Sequence, residues 1–317
     1  MLVHSALSNR SSSFLFSHAA TCHCESARIR KNLTHERLRQ FIVEEFDLGT
    51  YGMSPDDVCA ICMPNGAEAA VTLLATMCYC TAVPLSAQET SEELRKALKR
   101  TEAQLVIVMK GCDNDPVTTA ASELGLSVVE FASHPYVIGL TTANGIISGR
   151  IRKQKERVAS SPNNIALMLH TSGTSGNQKL VPYTVSTIVV GSACIAKAWD
   201  LGPGDVGLNM MPLFHVGGIM RNLVGPILSG SAMVCCATFD SELFWTVARS
   251  YGVTWYYGSP TMHHMVLQAG KAVEDVKPLR FIANAAGGLL PSMAEELREK
   301  FKACVLPSCK YHLCIRF

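Results

Sequence analysis

Ile165-Ala166-Leu167-Met168-Leu169, followed by His170-Thr171-Ser172-Gly173-Thr174-Ser175-Gly176-Asn177-Gln178-Lys179, is the stretch that decides how this chain is read. An apolar run of strand character ends in a loop of glycines and hydroxyl side chains that leads to one lysine. Glycine lets the backbone turn its N–H groups toward an anion, hydroxyls add donors, and lysine supplies a mobile positive charge. Such a loop suits a polyphosphate. The spacing is not that of the Walker loop, which needs a glycine directly before Lys-Ser/Thr. Here Gly173, Gly176 and Lys179 stand three apart and Leu180 follows the lysine. A polar surface turn has the same composition. The neighbours favour the phosphate grip: an apolar strand leads in, and Val181-Pro182-Tyr183-Thr184 leads out to a second apolar run. Core elements therefore hold the loop at both ends.

The loop resembles the phosphate-loop signature of the adenylate-forming superfamily, which includes acyl-CoA synthetases, luciferases and the adenylation domains of peptide synthetases. Their usual ending is Gly-x-Pro-Lys, and Gln178 replaces the proline here. Further segments match in the family's order. Asp57-Val58-Cys59-Ala60-Ile61-Cys62-Met63-Pro64-Asn65-Gly66 resembles an early buried strand ending at Pro-Asn, and Ala82-Val83-Pro84-Leu85 the strand after the next helix. Met211-Pro212-Leu213-Phe214-His215-Val216-Gly217-Gly218 is similar to the Pro-x-Phe-His-x-x-Gly segment. Gly258-Ser259-Pro260-Thr261 resembles the Val/Ala-Pro-Thr element. Asn284-Ala285-Ala286-Gly287-Gly288-Leu289 falls where the family has its adenine-binding segment. Each match is weak alone; their common order is specific.

The resemblance implies an α/β fold, the large N-terminal domain of the adenylate-forming architecture. It has stacked sheets with helices between, covers residues 32–308, and lacks the small C-terminal domain. It implies ATP-dependent activation of a carboxylic acid to acyl-AMP, then transfer to the thiol of coenzyme A or a carrier-protein phosphopantetheine arm, with ATP and Mg2+ as cofactors. Thr171, Ser172, Gly173, Thr174, Ser175 and Gly176 would hold the β- and γ-phosphates. Lys179 would offset charge on the departing pyrophosphate; its structural alternative is an exposed lysine at a helix start. His215 would position the acid rather than act as a general base; a hydrogen-bonded core histidine is the alternative. Asn284, Ala285, Ala286, Gly287 and Gly288 would lie along the adenine, where small residues allow close backbone approach; a turn before a helix is the other reading. Tyr257, Gly258 and part of residues 262–265 would wall the acid pocket. Either His263 or His264 would face that pocket, or both belong to core and surface.

Val305-Leu306-Pro307-Ser308 would lead in the family to Tyr-Gly-x-Thr-Glu, whose aromatic, threonine and glutamate meet adenine, α-phosphate and magnesium. This chain reads Cys309-Lys310-Tyr311-His312-Leu313-Cys314-Ile315-Arg316-Phe317 instead. Residues 309–317 are thus expected to be a non-family tail, produced by a frame shift, a retained intron or a mis-called exon. Without the glutamate, the ribose-binding Thr-Gly-Asp and the C-terminal lysine, the chain is expected to be inactive alone. A second reading is a non-catalytic nucleotide- or acyl-binding remnant. An unrelated loop-type NTPase is a third, disfavoured by the missing Gly-Lys-Ser/Thr order.

The chain has 317 residues, enough for one large domain or two subdomains with a sizeable core. Its net charge is +2, so charge makes no case for nucleic acid or a membrane surface as partner. Small-molecule partners are expected. Thirteen cysteines need an explanation. Cys59, Cys62, Cys78, Cys80, Cys235 and Cys236 fall within apolar runs, where free cysteine behaves as a small hydrophobe rather than a metal ligand. Cys22 and Cys24, beside His18 and His23, are a better ligand cluster in a segment of unfolded character. The odd cysteine count points to a reducing, cytoplasmic compartment. Residues 1–31 hold seven serines, four basic residues and one acid, Glu25. They read as an organelle transit leader, or as a disordered tail or mis-assigned start. No membrane span is expected: the apolar stretch 66–85 contains Glu68 and Pro84, and reads as a buried helix and strand.

Continuous apolar runs at residues 58–63, 82–85, 105–109, 127–131, 165–170, 206–210, 232–237, 254–257, 280–283 and 303–306 predict strands covered on both faces. Helices are predicted over 68–78, 91–102, 186–199, 241–251 and 291–302. Thr90 or Ser91 before Glu92-Glu93, and Pro291-Ser292, supply helix starts. Residues 149–164 read as a solvated connector into the loop strand.

Overall fold

The computed structural model describes residues 13–18, 32–133, 140–148, 153–171, 179–270 and 278–306. Two seven-stranded sheets organise them. The first has the strands β1 (Ser13–His18), β2 (Asn32–Thr34), β10 (Val206–Asn209), β11 (Ala232–Cys236), β12 (Trp255–Gly258), β13 (Phe281–Asn284) and β14 (Cys304–Leu306), in the order β14-β13-β12-β10-β11-β1-β2. The second has β3 (Val58–Cys62), β4 (Thr81–Leu85), β5 (Leu105–Met109), β6 (Ser127–Ser133), β7 (Leu140–Ser148), β8 (Ile165–Thr171) and β9 (Lys179–Thr184), in the order β7-β6-β5-β3-β4-β8-β9. Pairing is parallel except at β1–β2, β6–β7 and β8–β9.

Alternation explains why the central strands are apolar throughout. In β3, Cys59 and Ile61 face the space between the sheets, while Val58, Ala60 and Cys62 face the outer helices. In β12, Trp255 and Tyr257 point inward and Tyr256 outward. Helix α1 (His35–Gln40) follows β2; α2 (Ala67–Met77) lies in the inner layer, and all its residues but Glu68 are buried. Together with α5 (Val185–Ala198) it forms the filling between the sheets, with Ile188 fully buried. Outside the second sheet lie α3 (Ser91–Thr101) and α4 (Asp115–Glu123), which bury Leu94, Leu98, Val117 and Ala120. Outside the first lie α7 (Ser241–Tyr251), α8 (Pro260–Gln268) and α9 (Pro291–Phe301), where Trp245 and Phe301 stack with ring centroids 5.3 Å apart. The expected stacked sheets with helices between are therefore found.

Local chemistry sets the boundaries. The Thr90 hydroxyl accepts from the Glu93 N–H, and the Glu93 carboxylate accepts from the Thr90 N–H, closing a capping box at α3. Pro291 starts α9, where its missing N–H costs nothing. The connector into β8 is mostly exposed but tied down: Lys155 N–H donates to the Gly49 carbonyl at 2.9 Å, and its ammonium meets Asp57 at 2.8 Å. The cysteines of the apolar runs behave as expected of small hydrophobes; Cys59, Cys62, Cys80, Cys235 and Cys236 are buried. Among the described residues no helix is long and apolar enough to cross a membrane.

Several elements differ from expectation. Ser13–His18, read as part of a leader or tail, forms β1 and pairs in parallel with β11. The leader's other described residues are none; Cys22, Cys24 and residues 309–317 also lie outside the described residues. Helix α4 and strands β7 and β9 were not anticipated. Lys179 consequently opens a strand rather than a helix.

Candidate active site

Parallel α/β sheets offer a crevice where successive crossovers leave in opposite directions, just beyond the carboxyl ends of the strands. In the first sheet, β10 connects to β11 on one side, and β11 then returns across β10 to β12 on the other. The chain leaving β10 is the segment 210–216, which ends in a wide helix, Gly217–Val224, followed by α6 (Gly225–Ser229). The chain leaving β12 begins with Ser259. These are the two segments that sequence marked around His215 and Gly258. The switch point brings them together.

Three asparagines fix the His215 segment. Asn209, at the end of β10, accepts from the Met211 N–H at 2.9 Å and from the Asn222 amide at 2.7 Å. Asn65, just past β3 in the other sheet, accepts from the Leu213 N–H at 3.0 Å. Its amide donates to the carbonyls of Cys236 at 3.0 Å and Met211 at 3.4 Å. Asn65 thus joins the carboxyl edge of the second sheet to that of the first. Gly218 is required for the turn after His215, because a Cβ there would lie 2.4 Å from the Pro212 carbonyl oxygen. His215 itself remains exposed, with its ring 4.7 Å from that of Phe214. Partial burial of the ring lowers its pKa from the ordinary histidine value.

Tyr257 forms the neighbouring wall. It is buried, its ring centroid lies 6.0 Å from that of Trp199, and a Cβ on Gly217 would approach its Cε1 to 2.9 Å. Burial raises its pKa, and the Arg221 guanidinium over its face opposes that rise. Beside it, Gly258 pairs in register with Asn284 of β13. Beyond β13 the backbone makes a tight turn: Gly287 N–H donates to the Ala285 carbonyl at 2.6 Å, with Ala286 at φ 60°. The Asn284 amide donates to the Gly287 carbonyl at 2.7 Å, and the Ala285 N–H to the Gly258 carbonyl at 2.7 Å. Ala286 and Gly288 are exposed, and nothing lies within 4 Å of where a Gly288 side chain would begin. The small residues thus present an open, flat-faced turn. The Asn284 side-chain amide oxygen is buried, and no hydrogen bond of the turn reaches it.

His263 belongs to the support beneath this turn. It is fully buried and its Nδ1 lies 2.9 Å from the Tyr256 hydroxyl. Burial lowers its pKa to about 4, against a smaller opposite effect of Asn284 and the Gly258 backbone. His264 is exposed. Of the paired alternatives, His263 is the core residue.

Thr171 ends β8 and Lys179 opens β9; they face each other in register and are joined by a 3.4 Å bond from the Thr171 hydroxyl to the Lys179 carbonyl. Both are exposed on the carboxyl side of β8, the side on which Asn65 bridges the sheets. The phosphate-loop residues Ser172, Gly173, Thr174, Ser175 and Gly176 lie outside the described residues. Among the described residues, no group of three His, Cys, Asp or Glu side chains is placed to hold a metal. The tie made by Asn65, the Asn209–Asn222 bond and the placement of Arg221 were not read from the sequence. Pro64-Asn65 at the end of a buried strand was the one available signal.

The model of the AMP-binding enzyme family matches residues 48–308. The chain belongs to the AMP-binding enzyme family. An oxalate–CoA ligase of Arabidopsis thaliana is 31% identical over 286 residues, covering 87% of this chain and 54% of the relative. A probable CoA ligase of Humulus lupulus is 32% identical over 285 residues, covering 87% and 53%. The ATP-bound crystal structure of MatB from Rhodopseudomonas palustris superposes with a TM-score of 0.77 over 96% of this chain and 58% of that one, at 20% identity. The last likeness concerns fold alone. The chain spans about half the length of the curated relatives it matches.

Proposed function

We propose that this chain supplies the nucleotide- and acid-binding part of an AMP-forming acid–thiol ligase. One observation carries the reading: at the switch point of an AMP-binding family fold, the His215 segment, Tyr257-Gly258 and the 284–288 turn converge on one edge. A carboxylate is a poor electrophile because its charge repels nucleophiles. In the proposed reaction a carboxylate oxygen attacks the α-phosphorus of ATP, the bond to pyrophosphate breaks, and acyl-AMP forms. Attack by a thiol then yields the acyl thioester and releases AMP.

In this scheme Ala286, Gly287 and Gly288 let the adenine lie against the backbone, with Asn284 and Ala285 holding the turn. Residues 171–176 donate to the β- and γ-phosphates, and Lys179 offsets charge that grows on pyrophosphate. Tyr257 and Gly258 wall the acid. His215, whose partial burial favours the neutral ring, orients the carboxylate through one hydrogen bond. The thiol acceptor is coenzyme A, as in the names of the plant relatives, with a carrier-protein phosphopantetheine arm as the other candidate. The residues in hand are proposed to bind ATP and acid but not to complete the reaction unaided.

Exchange of labelled pyrophosphate into ATP, measured with a panel of carboxylic acids, tests this. The chain is assayed alone and joined to the C-terminal half of the Arabidopsis relative. Acid-dependent exchange in the joined protein, and none in the chain alone, is expected. Nucleotide or acyl binding without exchange in either form would assign the chain to a non-catalytic binding role. Steady ATP hydrolysis to ADP without acid would point to an unrelated NTPase.

A further inference from the structure

Arg221 is the one charged residue of the wide helix Gly217–Val224, whose Ile219, Met220, Asn222, Leu223 and Val224 are all buried. It lies four residues after Gly217, so both meet the same ring: Gly217 abuts Tyr257, and the Arg221 guanidinium carbon is 5.3 Å from that ring's centroid. The side chain is half-buried. Among the described residues it has no carboxylate partner and no hydrogen-bond acceptor. An aromatic face steadies a cation without neutralising it. A partly desolvated guanidinium is best satisfied by an anion, and its planar fork matches a carboxylate or sulfonate bidentately.

We propose that Arg221 binds a second anionic group on the substrate acid, so that the preferred substrates are short dianionic acids. This rests on the ligase reading above, in which Tyr257 walls the acid pocket. One carboxylate then faces the ATP phosphates beside His215, while the other end of the molecule reaches Arg221. A short apolar acid would leave the guanidinium unpaired in the complex and withdraw water from it, which disfavours binding. Tyr257 fixes the cation's position, and Gly217 leaves room for the ring that does so.

The test is calorimetric titration of the full 317-residue chain, with ATP present, using malonate and sulfoacetate against propionate, and succinate against butyrate. Dianionic acids should bind about tenfold or more tightly than monoanionic acids of matched length, as one satisfied charged pair allows. Arg221→Met, which keeps the apolar stem, should erase that preference. Arg221→Lys should retain part of it, and urea unfolding of both variants reports that the fold persists. Equal binding of the two acid classes to the native chain overturns this proposal and leaves the ligase reading standing. So does a dianion preference that survives in Arg221→Met, or a fall in ATP affinity on that substitution, which would assign the cation to phosphate. If no acid of either class binds, the ligase reading falls and this proposal with it.

Discussion

Replacing Asn65 by alanine removes a side chain that makes three hydrogen bonds across the two sheets: from the Leu213 N–H, and to the carbonyls of Cys236 and Met211. Each such bond contributes about 1 kcal/mol net, and the 3.4 Å one contributes less. The partners are left part-buried and unpaired, so the loss is expected to be about 2–3 kcal/mol. Urea unfolding followed by tryptophan fluorescence should register it. With an m-value of about 3 kcal/mol/M, the midpoint should fall by roughly 0.7–1 M at unchanged m. Because Asn65 anchors the segment that carries His215, acid binding should weaken along with stability. Asn65→Asp keeps the acceptor for Leu213 but sets a carboxylate against two carbonyl oxygens, and should be no better than alanine. If Asn65→Ala unfolds within about 0.2 M of the native midpoint, the cross-sheet tie is not what holds the segment in place.

Other perturbations address separate parts of the structure. His263 has a folded pKa of about 4 against an ordinary 6.5, so the unfolded chain takes up the proton first. Its contribution is complete above pH 6.5 and is lost as pH falls toward 4, by up to about 3 kcal/mol. His263→Gln should flatten the pH dependence of unfolding in that window, and an unchanged slope would assign the dependence elsewhere. Gly218→Ala should destabilise by about 1–3 kcal/mol, because its Cβ meets the Pro212 backbone rather than a movable side chain; a thermal scan matching the native chain would contradict this. Asp205 accepts from the Arg280 Nε at 3.0 Å and Nη2 at 2.9 Å, from Thr254 at 3.0 Å and from the Gly202 N–H at 2.9 Å. Asp205→Ala should cost about 2–3 kcal/mol in denaturant unfolding, since it removes these four hydrogen bonds while Arg280 keeps those to the Trp199 and Asp200 carbonyls; a loss below about 1 kcal/mol would show that solvent replaces the carboxylate.

The interior of the fold was legible because its strands are apolar on both faces. Val58–Cys62 and Leu105–Met109 cannot be surface strands, and each was located to within a residue. The α3 start was equally readable, since Thr90 and Glu93 carry their capping chemistry in adjacent sequence. Edge elements left weaker traces. Lys179–Thr184 carries Pro182 and has no buried residue, so it lacks the pattern that marked the central strands. Asp115–Glu123 is rich in threonine, serine and alanine, and only Val117, Ala120 and Ala121 are buried. The segments of the candidate site were legible as an ordered set, because each sits at the end of a strand. What links them was not: Asn65 meets residues 148 and 171 positions away, and periodicity reports only the face a residue shares with its near neighbours. Arg221 was passed over for the same reason, since its partner ring lies on β12.

In the proposed ligase, the 284–288 turn and the Tyr257–His215 wall form one continuous site for nucleotide and acid. This arrangement is tested most directly by titrating the chain with a non-reactive acyl-AMP analogue in which a sulfamate joins adenosine to a short acyl group. A single site spanning both parts should bind this analogue at least about a hundredfold more tightly than AMP or the free acid, since one molecule collects both sets of contacts. Binding no tighter than AMP alone would show that the two halves do not make a common adenylate site.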